Sequence, residues 1–130
     1  MRPARLAATA IALVTAACGD SPSESPGTQF SISGVEVVRV AEGIRITNGT
    51  DQPLAYAVWA SGFLGLFAPC VDTSPNCPRL APGATVQVAR DQIDGMWDGE
   101  GEAIVRWWRV VPDGQGGYRA DGLREVIVTL

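Results

Sequence analysis

The sequence predicts an all-β domain, an antiparallel β-sandwich of six or seven strands. Three observations point there. Short runs rich in Val, Ile, Thr and Trp alternate apolar with polar residues, the period of a half-buried strand. Clusters of Gly, Pro, Asn and Asp separate those runs at short intervals. No window of helical length beyond the first 29 residues carries a 3.6-residue apolar period.

The elements follow in chain order. Val35-Glu36-Val37-Val38-Arg39-Val40 is β-branched with interspersed charge. Ala41-Glu42-Gly43 supplies a turn, and Ile44-Arg45-Ile46-Thr47 resumes the alternation, so the pair reads as a hairpin. Asn48-Gly49-Thr50-Asp51-Gln52-Pro53 is a dense turn cluster. It also fits the N-glycosylation pattern, but turn chemistry is the simpler reading. Leu54-Ala55-Tyr56-Ala57-Val58-Trp59-Ala60 follows as a mostly buried strand. Residues 61–68, apolar but broken by two Gly, read as an irregular crossover or a short helical turn. Leu80-Ala81-Pro82-Gly83 turns the chain into a strand with Ala84, Val86 and Val88 on one face and Thr85, Gln87 and Ala89 on the other. A long strand spans residues 102–111, and residues 112–117 form a hairpin loop. The last strand, 123–130, points Val126, Val128 and Leu130 inward and leaves Arg124 at its rim.

The first residues read as a targeting segment, not as fold. Met1-Arg2-Pro3-Ala4-Arg5 is a cationic start, and residues 6–17 form an uncharged, mostly apolar run. A spanning helix needs roughly 20 such residues, so this run suits a signal peptide, residues 1–17. It ends in Val14-Thr15-Ala16-Ala17-Cys18, which resembles the lipobox of bacterial lipoproteins. Thr15 stands where that family more often has Leu. The resemblance implies cleavage before Cys18 and acylation of its sulfur. Each buried CH₂ of an acyl chain contributes about 0.8 kcal/mol, so several chains anchor a protein durably. In that family an Asp directly after the Cys often retains the protein in the inner membrane. Here Gly19 holds that place and Asp20 follows, so the resemblance favours the outer membrane where a cell has one. Residues 18–29 are the lipidated Cys and a Ser-, Pro- and Gly-rich spacer, and residues 30–130 are the domain.

Two further elements resemble immunoglobulin-like domains of bacterial exported proteins. One is the strand, Asn-rich turn, Pro and strand of Ile44-Arg45-Ile46-Thr47-Asn48-Gly49-Thr50-Asp51-Gln52-Pro53-Leu54. The other is Leu80-Ala81-Pro82-Gly83-Ala84 before a strand. They imply an immunoglobulin-like sandwich and say nothing about activity. The Cys-Trp-Cys core of antibody domains is missing, because Cys70 and Cys77 lie in one Pro-rich loop.

Composition excludes much chemistry. All 10 basic residues are Arg, and there is no His. No Ser-His-Asp or Cys-His relay, no imidazole metal ligand and no Lys Schiff base can be built. After the expected cleavage eight Arg face 14 acids, a net charge of −6, which disfavours nucleic acid as a partner. Of three Cys, Cys18 is assigned to lipid. Cys70 and Cys77 are expected to form a disulfide, since exported proteins keep such bonds and the C-x6-C spacing suits neither a redox motif nor zinc.

Candidate binding residues are Trp97, Trp107, Trp108, Asp94, Asp98 and Glu100. Residues 91–102 concentrate five acids among Gly residues, but their spacing does not match an EF-hand, so a solvated acidic loop is the reading adopted and no metal is assigned. A carboxylate pair for acid/base work is disfavoured because an exposed loop does little to raise a carboxyl pKa. Trp97, in a Gly-rich loop, is expected to be exposed. Trp107 and Trp108 are adjacent on a strand, so one is expected in the core and the other toward solvent or a covering loop. Arg106 and Arg109 are expected to pair with the acidic loop or stack on the Trp rings.

The function expected is therefore non-enzymatic, with no cofactor: a lipid-anchored module at the cell envelope that binds a protein or glycan or serves as a structural accessory. Carbohydrate recognition through Trp97 and the acidic loop is one alternative. A protease inhibitor presenting the Cys70–Cys77 loop is another.

Overall fold

The computed structural model describes residues 26–63, 68–72, 77–97, 99 and 101–130. Among the described residues eight strands are formed: β1 (Gln29–Ile32), β2 (Val35–Val40), β3 (Gly43–Asn48), β4 (Leu54–Ala60), β5 (Arg79–Leu80), β6 (Thr85–Ala89), β7 (Glu102–Pro112) and β8 (Tyr118–Thr129). They make two four-stranded sheets, ordered β1-β2-β3-β6 and β5-β4-β7-β8, with every pairing antiparallel. The chain changes sheet after β3, after β5 and again after β6. That is the Greek-key connectivity of an immunoglobulin-like sandwich, with β1 added outside β2.

The inner faces are those the alternation predicts. Val35, Val37, Ile44, Ile46 and Val88 pack against Leu54, Val58, Val105, Trp107, Val126 and Val128 across the two sheets. Such side chains each gain roughly 1.5–3 kcal/mol on full burial, which is what drives the sheets together. Ile93, from the loop after β6, is also buried and closes one end of this core.

The count of eight exceeds the expected six or seven because two strands are very short. β1 has four residues and only half-buried apolar side chains, and β5 has two residues. Among the described residues, pairing begins at Gly27, inside the segment read as spacer. Its N–H donates to the Ile127 carbonyl at 3.1 Å, and its carbonyl accepts from Thr129 at 2.6 Å. β8 begins at Tyr118, five residues earlier than read.

The two poles of the sandwich differ. The turn at Ser33-Gly34, the cluster 49–53 and the loop 113–117 lie at one, the hairpin pole. The other gathers the end of β2, the start of β3, the ends of β4 and β6, the start of β7 and the end of β8. Because Gly27 is bonded to Ile127 and Thr129 there, we call it the entry pole.

The disulfide between Cys70 and Cys77 is formed, with their Cα atoms 5.6 Å apart. Arg79 ties the loop on both sides, donating to the carbonyls of Asp72 at 2.7 Å and Cys77 at 3.3 Å. Closing so short a loop constrains the unfolded chain by roughly 2–3 kcal/mol in the chain-entropy model. Reduction is therefore expected to lower the urea midpoint by a corresponding amount. Titration of thiols in the denatured, unreduced domain should find neither Cys70 nor Cys77 reactive.

Candidate functional site at the entry pole

The candidate site is the loop between β6 and β7, together with the turn after β4. A 3₁₀ turn, Arg90–Gln92, follows β6 directly. Its Gln92 side chain accepts from the Ala89 N–H at 3.0 Å, and the Ile93 N–H reaches the Arg90 carbonyl at 3.3 Å. Ile93 then plugs the core, and the Asp94 carbonyl accepts from Ala60 at 2.8 Å. These contacts fix the loop to β4 before it reaches Met96 and Trp97.

Gly95 has φ +72°, where side chains with a Cβ are strained. A Cβ there would also stand 2.6–2.8 Å from Phe63 atoms. Gly95 is thus what lets Phe63 lie against the loop. Met96 is half-buried and packs on the core. Trp97 is 55% exposed and Phe63 is 47% exposed. Beside Trp97 lies a shallow concavity of about 450 Å³, lined also by Glu42, Ala89, Arg90, Asp91 and Met96. An exposed Trp edge next to both signs of charge can stack on a flat or apolar surface while polar groups bond its rim.

The other Trp residues do not join this surface. Trp107 is in the core at 2% exposure. Trp108 points to the outer face of its sheet and is 1% exposed, beneath the disulfide loop, with its Nε1 donating to the Cys70 carbonyl at 2.9 Å. The expected opposite facing of the pair holds, with a covering loop in place of solvent. Their candidate role in ligand binding alongside Trp97 does not fit this burial, because neither ring reaches the surface. Trp59 is buried under Arg106, whose guanidinium carbon lies 5.0 Å from the ring centroid.

No family model, curated protein or solved structure matches this chain. Of the other candidates, Asp94 is exposed at the entry pole, and its backbone holds β4. Asp98 and Glu100 lie outside the described residues, as do Cys18 and the apex of the disulfide loop, 73–76. Among the described residues no group of three or more acidic or thiol side chains converges to hold a metal ion.

Arg106 takes one of the two expected arrangements, stacking over the Trp59 ring. Arg106 Nε also donates to Glu125, and Arg109 pairs with Asp121, both across to β8. The register decides this: Arg106 stands opposite Glu125, and Arg109 opposite Asp121. Burial raises the Tyr56 pKa above its usual value, so its phenol stays protonated further into the alkaline range.

Sequence reading missed Phe63, Glu42 and Arg90 as members of the site. The one signal for Phe63 was the Gly-flanked apolar run after β4. Nothing local connects it to Gly95, since that contact depends on how β4 and the 91–97 loop are joined.

Proposed function

We propose that this chain is a lipid-anchored, extracytoplasmic β-sandwich module that acts by binding, through the entry pole. The observation that carries the reading is Trp97, more than half exposed on a loop fixed by Ile93, Asp94 and Met96. A large aromatic held out to solvent on a fixed loop costs little to order on binding. The anchor is supported by the lipobox-like Val14-Thr15-Ala16-Ala17-Cys18 after an apolar run. An export compartment suits the disulfide.

The anchor has a direct test. Cells making the full chain should incorporate labelled palmitate into it, and the Cys18→Ser variant should incorporate none. Equal labelling of the two would sink this reading.

Carbohydrate recognition is a second reading, and the concavity beside Trp97 favours it. Glu42, Arg90 and Asp91 surround the ring there, and such groups bond sugar hydroxyls while a ring stacks on the pyranose face.

A further inference from the structure

We infer that the entry pole rests on the lipid bilayer, with Trp97 and Phe63 seated in its interface. The inference rests on the proposed anchor at Cys18 and adds what the binding pole contacts.

Three observations converge on it. The first is where the chain enters. Gly27 is bonded to Ile127 and Thr129, at the same pole as the Trp97 loop. The second is reach. From Cys18 to Gly27 the chain spans at most about 30 Å even fully extended. From Val128, which faces Gly27, back to Tyr118 β8 runs roughly 34 Å, and the loop 113–117 extends beyond it. A sandwich anchored at Cys18 therefore cannot stand inverted with its hairpin pole on the membrane. The short tether keeps the entry pole near the lipid.

The third is side-chain chemistry. Trp97 at 55% and Phe63 at 47% exposure flank one loop, with Met96 half-buried between that loop and the core. Trp is the residue that favours the headgroup level, where its ring is apolar and its N–H stays wet. Arg39 and Arg90 also line this pole, but Glu42, Asp91 and Asp94 share it. A mixed, acid-rich rim draws no strength from anionic headgroups. The surface it fits is therefore a zwitterionic one, held by aromatic insertion and the tether together. The lipid anchor holds the pole near the surface, so even a weak aromatic insertion acts at high effective concentration.

The experiment uses the full chain, purified from membranes and reconstituted into phosphatidylcholine vesicles with or without bromine on the acyl chains. Mass spectrometry of the N-terminal peptide first records whether Cys18 is acylated. Bromine quenches only nearby indoles, and Trp59, Trp107 and Trp108 are buried in the fold. The Trp97 signal, taken as wild type minus Trp97→Phe, should fall at least about twofold in brominated vesicles. The Trp97→Phe protein should hardly respond. Adding anionic lipid should not deepen the quenching. Acylated protein whose Trp97 emission is indifferent to bromine would overturn the inference while leaving the anchor standing. Protein that is not acylated at Cys18 would overturn the anchor itself, and this inference with it. Protection of Trp97 from iodide by soluble oligosaccharides, with no shielding by vesicles, would overturn the inference in favour of sugar recognition.

Discussion

Replacing Trp108 with alanine is expected to destabilise the domain by about 3–5 kcal/mol. The ring is almost completely buried on the outer face of the β5-β4-β7-β8 sheet, a place where a strand residue would ordinarily meet solvent. The disulfide loop lies over it, and the Nε1 bond to the Cys70 carbonyl ties that loop to the ring. Truncation removes the largest fully buried side chain among the described residues and leaves the Cys70 carbonyl without this donor. Urea unfolding followed by circular dichroism measures the loss. Because loop and ring share one contact, reducing the disulfide and removing the ring should be less than additive. A Trp108→Ala protein within about 1 kcal/mol of wild type would mean that the loop does not rely on the ring.

Asn48→Ala is expected to cost about 2–4 kcal/mol. Asn48 is fully buried at the end of β3, on the inner face it shares with Ile44 and Ile46. Its amide nitrogen donates to the Gln52 carbonyl at 2.8 Å and to the Leu80 carbonyl at 3.0 Å. Its oxygen accepts from the Thr50 N–H at 2.9 Å and from the Thr50 hydroxyl at 2.6 Å. The Leu80 bond crosses from one sheet to the other, and the remaining bonds shape the turn that carries the chain across. Alanine leaves the buried Leu80 carbonyl without this donor, while the Gln52 carbonyl, in the exposed turn, keeps the Thr50 hydroxyl at 3.0 Å. Asn48→Asp should be no better, since a carboxylate cannot donate to them and would be buried beside them. If both variants unfold at the wild-type urea midpoint, the inter-sheet role is refuted. The same bonds answer the glycosylation pattern, because the amide nitrogen that would carry a glycan is already engaged at full burial.

How much of this was legible depended on whether a segment buries one face. β2, β3, β4 and β7 each lay a row of side chains on the core, so period-2 alternation reported them within a residue or two. The first part of β8 has no such row. Residues 118–121 pair with β7 beyond the start of β4, as a two-stranded ribbon held by Arg109, Asp121 and Arg119. Nothing there alternates, because there is no core to face. Asp121-Gly122 deepened the error. It has the composition of a turn, yet Gly122, at φ +65°, sits where the β7–β8 register slips opposite Trp108, which is a bulge and not a reversal.

The candidate site was legible in part for a related reason. Composition and Gly content marked Trp97 as exposed, a property of one loop. Its neighbours Phe63, Glu42 and Arg90 come from three separate places in the chain, and only the topology brings them to one pole. The fate of Trp108 was half legible. Strand geometry required it to oppose Trp107, but the lid over it depends on where a remote disulfide loop settles.

The bond pair between Gly27 and β8 also dictates an order of assembly. Gly27, the first paired residue among those described, closes onto the last strand, so that contact cannot form until the chain has been delivered almost to its end. β2 and β3 can zip together as a local hairpin, while β1's outer end and the inner faces of β7 and β8 wait. Contacts between remote segments fold slowly, and unpaired apolar strands are exposed meanwhile. A chain truncated before Val126 should therefore be a substrate for proteases and not a smaller version of this domain, because it lacks the core side chains Val126 and Val128 and the latch at its entrance.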